Sequence, residues 1–227
     1  MKRIPFADLQ ETLYSILIRE GFREAKASAC AKIFAENTLD GVASHGVNRF
    51  PRFVEHARRG IMRIDAEPEK TSAFGALEQW DGGHGIGPLN ALFCTDRAIE
   101  LARAHGVGCA ALKNTTHWMR AGAYGWRAAE RGYPFICWTN TTPNMPPWGG
   151  KTPAVGNDPL VFAVPRKKGH IVLDMALSQF SYGKLGVYKS QSRQMPYDAG
   201  FDEAGNLTTD PTQVLRTQRV LPIGLWK

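Results

Sequence analysis

Apolar positions along the chain fall first at helical spacing and then at strand spacing. Leu9, Leu13, Ile16 and Leu17 predict a helix over 8–20, stopped by Gly21. Ala27, Cys30, Ala31, Phe34 and Ala35 share one face of a second helix over 23–39. A third helix is predicted from Asn48, a candidate N-cap, to Arg59, with Pro51 in its first turn and Gly60 beyond its end. Ser44-His45-Gly46 then lies in the loop between the second and third helices. Residues 61–80 read as extended, residues 81–88 as a glycine-dense loop, and residues 89–104 as a helix. A buried strand is expected over 106–112, a loop over 114–118, a short helix over 121–131 and a strand over 134–139. This β-α-β-α-β alternation favours an α/β class.

Residues 141–159 carry five prolines and three glycines and read as a long loop, a kind that is often functional in compact domains. Strands follow at 160–164 and 171–175, with a turn at 166–169, and 190–213 is polar and turn-rich. The apolar, aromatic stretch 220–227 has no closing helix, so the chain is expected to continue. The pattern divides at about residue 65, giving a helical region over 1–65 and an α/β region over 66–227.

Composition narrows the classes. With 43% hydrophobic and 22% charged residues, the chain is neither disordered nor a coiled coil. No apolar run reaches about 18 residues, so no spanning helix is expected. Asp8 and Glu11 interrupt the N-terminus before an apolar core forms, which argues against a secretory signal. A soluble, intracellular protein is the expectation. Cys30, Cys94, Cys109 and Cys137 lie far apart with no C-x-x-C, so no metal site is expected and each reads as a small buried side chain. The net charge of +7 suits nucleic acid or an anionic small molecule. The basic clusters Arg49, Arg52, Arg58, Arg59 and Arg166, Lys167, Lys168 lack interleaved stacking aromatics, which disfavours nucleic acid.

Gly83, Gly85 and Gly87 are spaced G-x-G-x-G, which is not the G-x-G-x-x-G dinucleotide fingerprint, and no acidic residue sits at the required distance. A flexible turn is the plain alternative. His45 lies between the small residues Ser44 and Gly46, with Arg49 four positions on. A guanidinium can grip a carboxylate bidentately while an imidazole protonates the neighbouring carbonyl oxygen. A structural loop histidine is the competing reading. His117 falls at the end of a predicted strand, a common binding position in α/β sheets, and a packed histidine is its alternative. His56 and His105 read as structural or surface residues near helix ends.

The run Ser44-His45-Gly46-Val47-Asn48-Arg49-Phe50-Pro51-Arg52-Phe53 resembles the signature of the malate/L-lactate dehydrogenase type 2 family. The likeness is nearest to the branch of that family that reduces 2,3-diketo-L-gulonate. Collinear segments agree along the whole chain: Glu78-Gln79-Trp80-Asp81, His117-Trp118-Met119-Arg120, Tyr124-Gly125-Trp126, Met145-Pro146-Pro147-Trp148-Gly149, Phe180-Ser181-Tyr182-Gly183 and Gly205-Asn206-Leu207-Thr208. The resemblance implies a non-Rossmann α/β fold with a helical N-terminal region, a mixed-sheet NAD-binding region and the family's C-terminal part absent. It implies an NAD(P)-dependent oxidoreductase, with NADH preferred and NADPH possible, acting on a small anionic 2-oxo acid. His45 would be the proton donor and Arg49 the carboxylate holder, with Ser44 and His117 in the same pocket. His170, Ile171, Val172, Leu173, Asp174, Met175 and Ala176 would meet the dinucleotide, as would Trp226 and Lys227. A cytoplasmic homodimer without nucleic-acid or membrane partners is implied. The family continues beyond Trp226-Lys227, and Val155-Gly156-Asn157-Asp158-Pro159 departs from its usual Gly-Thr-Asn-Pro run. A shortened relative acting as a non-enzymatic interaction protein, or a reductase of oxaloacetate or pyruvate, is the alternative.

Overall fold

The computed structural model describes residues 3–224. Two helices, α1 (Phe6–Arg19) and α2 (Glu24–Leu39), form a hairpin turned at Gly21, whose φ of 83° costs little only without a Cβ. Leu13 and Leu17 of α1 and Ala27, Cys30, Ala31, Phe34 and Ala35 of α2 are buried, as their spacing requires. Phe34 anchors the next helix, α3 (Phe50–Arg58): its ring meets Phe50 at 5.1 Å and Phe53 at 5.0 Å, both edge-on. Ile86 and Met119, from later segments, join the same core.

Asn48 does not cap α3. It is exposed, and Arg49 takes the N-cap position in helical geometry. The chain enters α3 through tight turns in which the Arg49 N–H donates to the Gly46 carbonyl at 2.9 Å and the Phe50 N–H to that of Val47 at 3.3 Å. The first amides are thereby paired without a side-chain cap.

Strand β1 (Glu69–Phe74) runs antiparallel to β2 (Leu77–Gly85), and β3 (Cys109–Thr115) runs parallel to β2 after the crossover helix α4 (Gly87–His105). Helix α5 (Gly122–Glu130) packs on α4. The glycine-dense segment is mostly strand, since β2 continues to Gly85. Gly106 ends α4 in the left-handed region (φ 81°), so β3 starts only at Cys109. This strand is not buried. It lies at the sheet edge with side chains open to solvent, and Cys109 is exposed rather than buried. Cys94 and Cys137 are half-buried, and only Cys30 matches the expected burial.

The chain forms two compact units, one up to Tyr133 and one from Pro134. In the second, β4 (Phe135–Trp138), β5 (Leu160–Val164) and β6 (Ile171–Met175) make an antiparallel sheet in that order. The parallel alternation suggested by the sequence therefore holds for β2-α4-β3 and stops there, giving a mixed α/β fold. Helices α6 (Tyr182–Ser190) and α7 (Pro211–Thr217) flank a small hairpin of β7 (Gly200–Phe201) and β8 (Leu207–Thr208). Both helices carry side-chain caps at their starts: Ser181 accepts from the Lys184 N–H at 3.2 Å and Asp210 from the Thr212 N–H at 2.8 Å. Pairing across β4, β5 and β6 aligns Ile136, Phe162 and Leu173, and Trp138, Val164 and Ile171 lie on the same face. These six side chains are 41–67% exposed, so one whole face of this sheet is apolar and open.

Glu78 locks the first sheet to its helix. The carboxylate, 4% exposed, accepts from Arg97 Nε at 2.6 Å and Nη2 at 2.9 Å, and from Lys70 Nζ at 2.6 Å. The Arg97 hydrogen bonds chiefly hold its pKa down at about 2. A folded-state value below the unfolded one contributes stability above the unfolded pKa, and that contribution is lost as pH falls through the folded one. Glu78→Gln is expected to cost about 1.5–3 kcal/mol at neutral pH. In thermal melts, the gap in Tm between the native protein and this variant should narrow as pH drops from about 4.5 towards about 2. A gap that does not change with pH contradicts the pairing.

Candidate active site

The Ser-His-Gly segment is a one-turn 3-10 helix, Ala43–His45, held on the C-terminal end of α2. Asn37, buried in α2, donates from Nδ2 to the His45 carbonyl at 3.0 Å, and Thr38 Oγ1 accepts from the Val47 N–H at 2.9 Å. Gly46 lies flush on α2: a Cβ there would overlap Thr38 Oγ1 and come within 2.8 Å of the Thr38 amide nitrogen. Ser44 Oγ is 3.0 Å from His45 Nδ1. That contact engages one ring nitrogen and orients the imidazole, a group able to exchange protons near neutral pH.

The His117 loop is built with similar redundancy. Thr116 Oγ1 accepts from the Gly87 N–H and donates to the Gly85 carbonyl, each at 2.9 Å. Buried Asn90 donates to Thr115 Oγ1 at 2.9 Å. Arg120 pairs with Asp40 at the end of α2, and the Tyr124 hydroxyl donates to the Trp118 carbonyl. Gly87 allows the backbone to pass so closely that a Cβ would overlap both the Thr116 and His117 carbonyl oxygens. Gly85 and Gly87 are thus close-packing positions, while Gly83 is a turn position with a φ of 56°.

These two loops bring the rings of His45 and His117 to 5.8 Å. A small pocket beside them is lined by Arg49, Arg52 and His56 of the α3 segment and by Thr116 and His117, over an apolar floor of Phe53, Met62 and Met119. Arg49, Arg52 and His56 are spaced i, i+3, i+7, so one helix stripe faces the pocket while Phe50, Phe53 and Val54 face the core. His56 is therefore a pocket residue, not the structural one its position near a helix end suggests. No carboxylate lines the pocket among the described residues. The half-buried Arg49 guanidinium has no acceptor among them, and its pKa is lowered by burial and by Arg52. An anion is the missing counter-charge.

The imidazoles are not equivalent. The Met119 N–H donates to His117 Nδ1 at 2.9 Å, so the neutral ring carries its proton on Nε2. Crowding around the ring, followed by the nearby charges of Arg49, His45, Arg52 and His56, moves the His117 pKa well below the usual imidazole range. The His117 side chain is nevertheless exposed, and water screens much of that effect without changing its sign. His56 Nε2 accepts from Arg52 Nε at 3.4 Å, and burial and the arginines lower its pKa too.

The segment expected to meet a dinucleotide belongs to the second unit. Ile171, Val172, Leu173, Asp174 and Met175 form β6, preceded by His170 and followed by Ala176. β6 is the outer strand of its sheet, and Ile171 and Leu173 are exposed. His170 Nδ1 accepts from the Arg166 N–H at 3.1 Å, closing a turn in which Arg166, Lys167 and Lys168 are exposed. An outer strand with exposed apolar side chains and a cationic turn is chemically compatible with an extended, anionic dinucleotide. Trp226 and Lys227 lie outside the described residues.

The chain belongs to the malate/L-lactate dehydrogenase family, whose model matches residues 4–227. It is 48% identical over 225 residues to the 2,3-diketo-L-gulonate reductase of Escherichia coli O139:H28, covering 99% of this chain and 68% of that one. Among solved structures it resembles malate dehydrogenase from Entamoeba histolytica, with a TM-score of 0.94 and 25% identity over 98% of this chain and 64% of that one. It also resembles sulfolactate dehydrogenase from Methanocaldococcus jannaschii, with a TM-score of 0.88 and 29% identity over 97% and 64% of the two chains. The chain thus spans about two thirds of the length of these relatives. Among the described residues no helix is long and apolar enough to cross a membrane.

Gly87→Ala tests the packing that sets His117. The variant is expected to lose about 1–3 kcal/mol of stability to overpacking and to shift the His117 ring resonances in NMR spectra. Unchanged stability and unchanged resonances contradict the close approach.

Proposed function

We propose that the protein reduces the C2 carbonyl of a 2-oxo sugar acid with NADH, and that 2,3-diketo-L-gulonate, converted to 3-dehydro-L-gulonate, is its substrate. The observation that carries this reading is the half-buried Arg49, unpartnered among the described residues, in a carboxylate-free pocket beside the His45–His117 pair. Arg49 holds the substrate carboxylate through a two-pronged contact that also fixes the adjacent carbonyl. The nicotinamide, when bound, supplies the hydride. His45 releases a ring proton to the carbonyl oxygen as negative charge develops there, while the Ser44 hydroxyl at Nδ1 keeps the ring in register. The 48% identity to a 2,3-diketo-L-gulonate reductase supports the sugar acid over oxaloacetate or pyruvate.

NADH is the proposed cofactor, bound along residues 170–176. The basic turn of Arg166, Lys167 and Lys168 is the feature that would admit the extra phosphate of NADPH. A homodimer in the cytoplasm completes the reading, on the strength of the family resemblance.

His45→Ala is expected to lower kcat at least about 100-fold, read as NADH oxidation with saturating 2-oxo acid. Near-normal turnover removes His45 from the proton-transfer role. Arg49→Lys keeps the charge but loses the fork, so KM for the 2-oxo acid should rise much more than KM for NADH. Equal changes in both constants contradict a carboxylate contact.

A further inference from the structure

We propose that His56 determines specificity at the far end of the ligand, as a hydrogen-bond donor to a tail hydroxyl of the acid, two helical turns from the guanidinium that takes its carboxylate. This rests on the reading of the pocket as a 2-oxo acid site and narrows it to acids long and hydroxylated enough to reach His56.

The placement follows from the helix. Arg49, Arg52 and His56 lie on one stripe and line one pocket. Seven residues separate Arg49 from His56, a rise of about 10 Å along a helix axis. A three-carbon acid held by its carboxylate at Arg49 ends within the first of those turns. A six-carbon acid runs on toward the second. Its path lies over the apolar floor of Phe53, Met62 and Met119, which suits the C–H face of a carbon chain.

The neighbours of His56 specify which atom meets the ligand. Arg52 Nε donates to His56 Nε2 at 3.4 Å, so the neutral ring carries its proton on Nδ1. The side chain is half-buried, and Nδ1 has no hydrogen-bond partner among the described residues. A donor so placed at a pocket wall calls for an acceptor from outside the chain. The charged and titratable groups facing the ring are Arg49, Arg52, Glu55 and Arg59 from the α3 segment and His117 from the loop after β3. Burial, then Arg52 and Arg49, lower the His56 pKa against the pull of Glu55, whose carboxylate pairs with Arg59 at 3.2 Å. The ring is therefore neutral at pH 7. A neutral N–H suits a hydroxyl oxygen, which accepts without bringing a second charge into the pocket.

The test uses the full chain without cofactor and follows binding by calorimetry. L-Gulonate, a six-carbon acid with a hydroxylated tail, is compared with oxamate, a short 2-oxo acid analogue, and with 2-oxohexanoate, which keeps the length and lacks the hydroxyls. In His56→Ala, L-gulonate should bind about three- to tenfold more weakly, the value of one neutral hydrogen bond, while the losses for the other two acids stay below about twofold. His56→Asn, whose side-chain amide falls near the position of Nδ1, should recover most of the loss. His56→Gln, whose amide falls near Nε2 and can still meet Arg52, should not. An equal change for all three acids overturns the tail contact. Rescue by Gln and not by Asn also overturns it, because His56 would then act only as a support for Arg52. Oxamate that binds the unsubstituted protein where L-gulonate does not overturns this inference and spares the 2-oxo acid reading. Failure of all three acids to bind the unsubstituted protein counts against that reading itself, and this inference falls with it.

Discussion

The close seating of Gly46 on the C-terminal end of α2 is the constraint on which the site depends. The absence of a Cβ lets the Ser44-His45 turn contact Thr38 and Asn37 directly, and their side chains satisfy the backbone groups that the turn leaves open. From that fixed point the chain drops straight into α3, whose Phe50 and Phe53 close on Phe34. Burial of one face of α3 therefore decides where Arg49, Arg52 and His56 point. Anchoring by aromatic packing on one side and hydrogen bonds on the other gives the cationic stripe little freedom, which suits recognition of a rigid planar anion.

The second wall of the pocket is set independently and by a different device. The βαβ unit brings the end of β3 beside the start of α4, where Gly87 permits near-contact of two backbones and Thr116 bridges them. The ion pair of Arg120 with Asp40 then ties this loop to the same end of α2 that holds His45. Two loops distant in sequence converge because each is fastened to α2. The cost is a collection of positive charge with no carboxylate lining the pocket among the described residues, a condition that stability alone would not favour.

Much of this was legible in the sequence. The apolar periodicity of α1 and α2 located the core, and β5 and β6 fall at the two short apolar runs on either side of the 166–169 turn. Ser44, His45 and Arg49 stand out because small residues flank an imidazole four positions before an arginine. What escaped has physical reasons. Arg52 and His56 extend the Arg49 stripe at i+3 and i+7, but a helix-end histidine is ordinarily a dipole partner, so its pocket role appears only once the floor of Met62 and Met119 is in place. The glycine-rich run hid a strand because Gly82 and Gly87 pack closely against residues 114–117, far along the chain. Helices α6 and α7 lie in polar stretches, where Ser181 and Asp210 were the readable signals. Cys109 looked buried because its neighbours are apolar, yet β3 ends the sheet and leaves it open.

The proposed reaction needs one guanidinium, one proton-donating imidazole and a carboxylate supplied by the ligand. Its most direct test is NADH oxidation measured with 2,3-diketo-L-gulonate and other 2-oxo sugar acids, beside matched 2-ketoses that keep the carbonyl but lack the acid group. Turnover confined to the acids is the predicted result. Comparable turnover of the uncharged ketoses, or none with any 2-oxo acid, contradicts it.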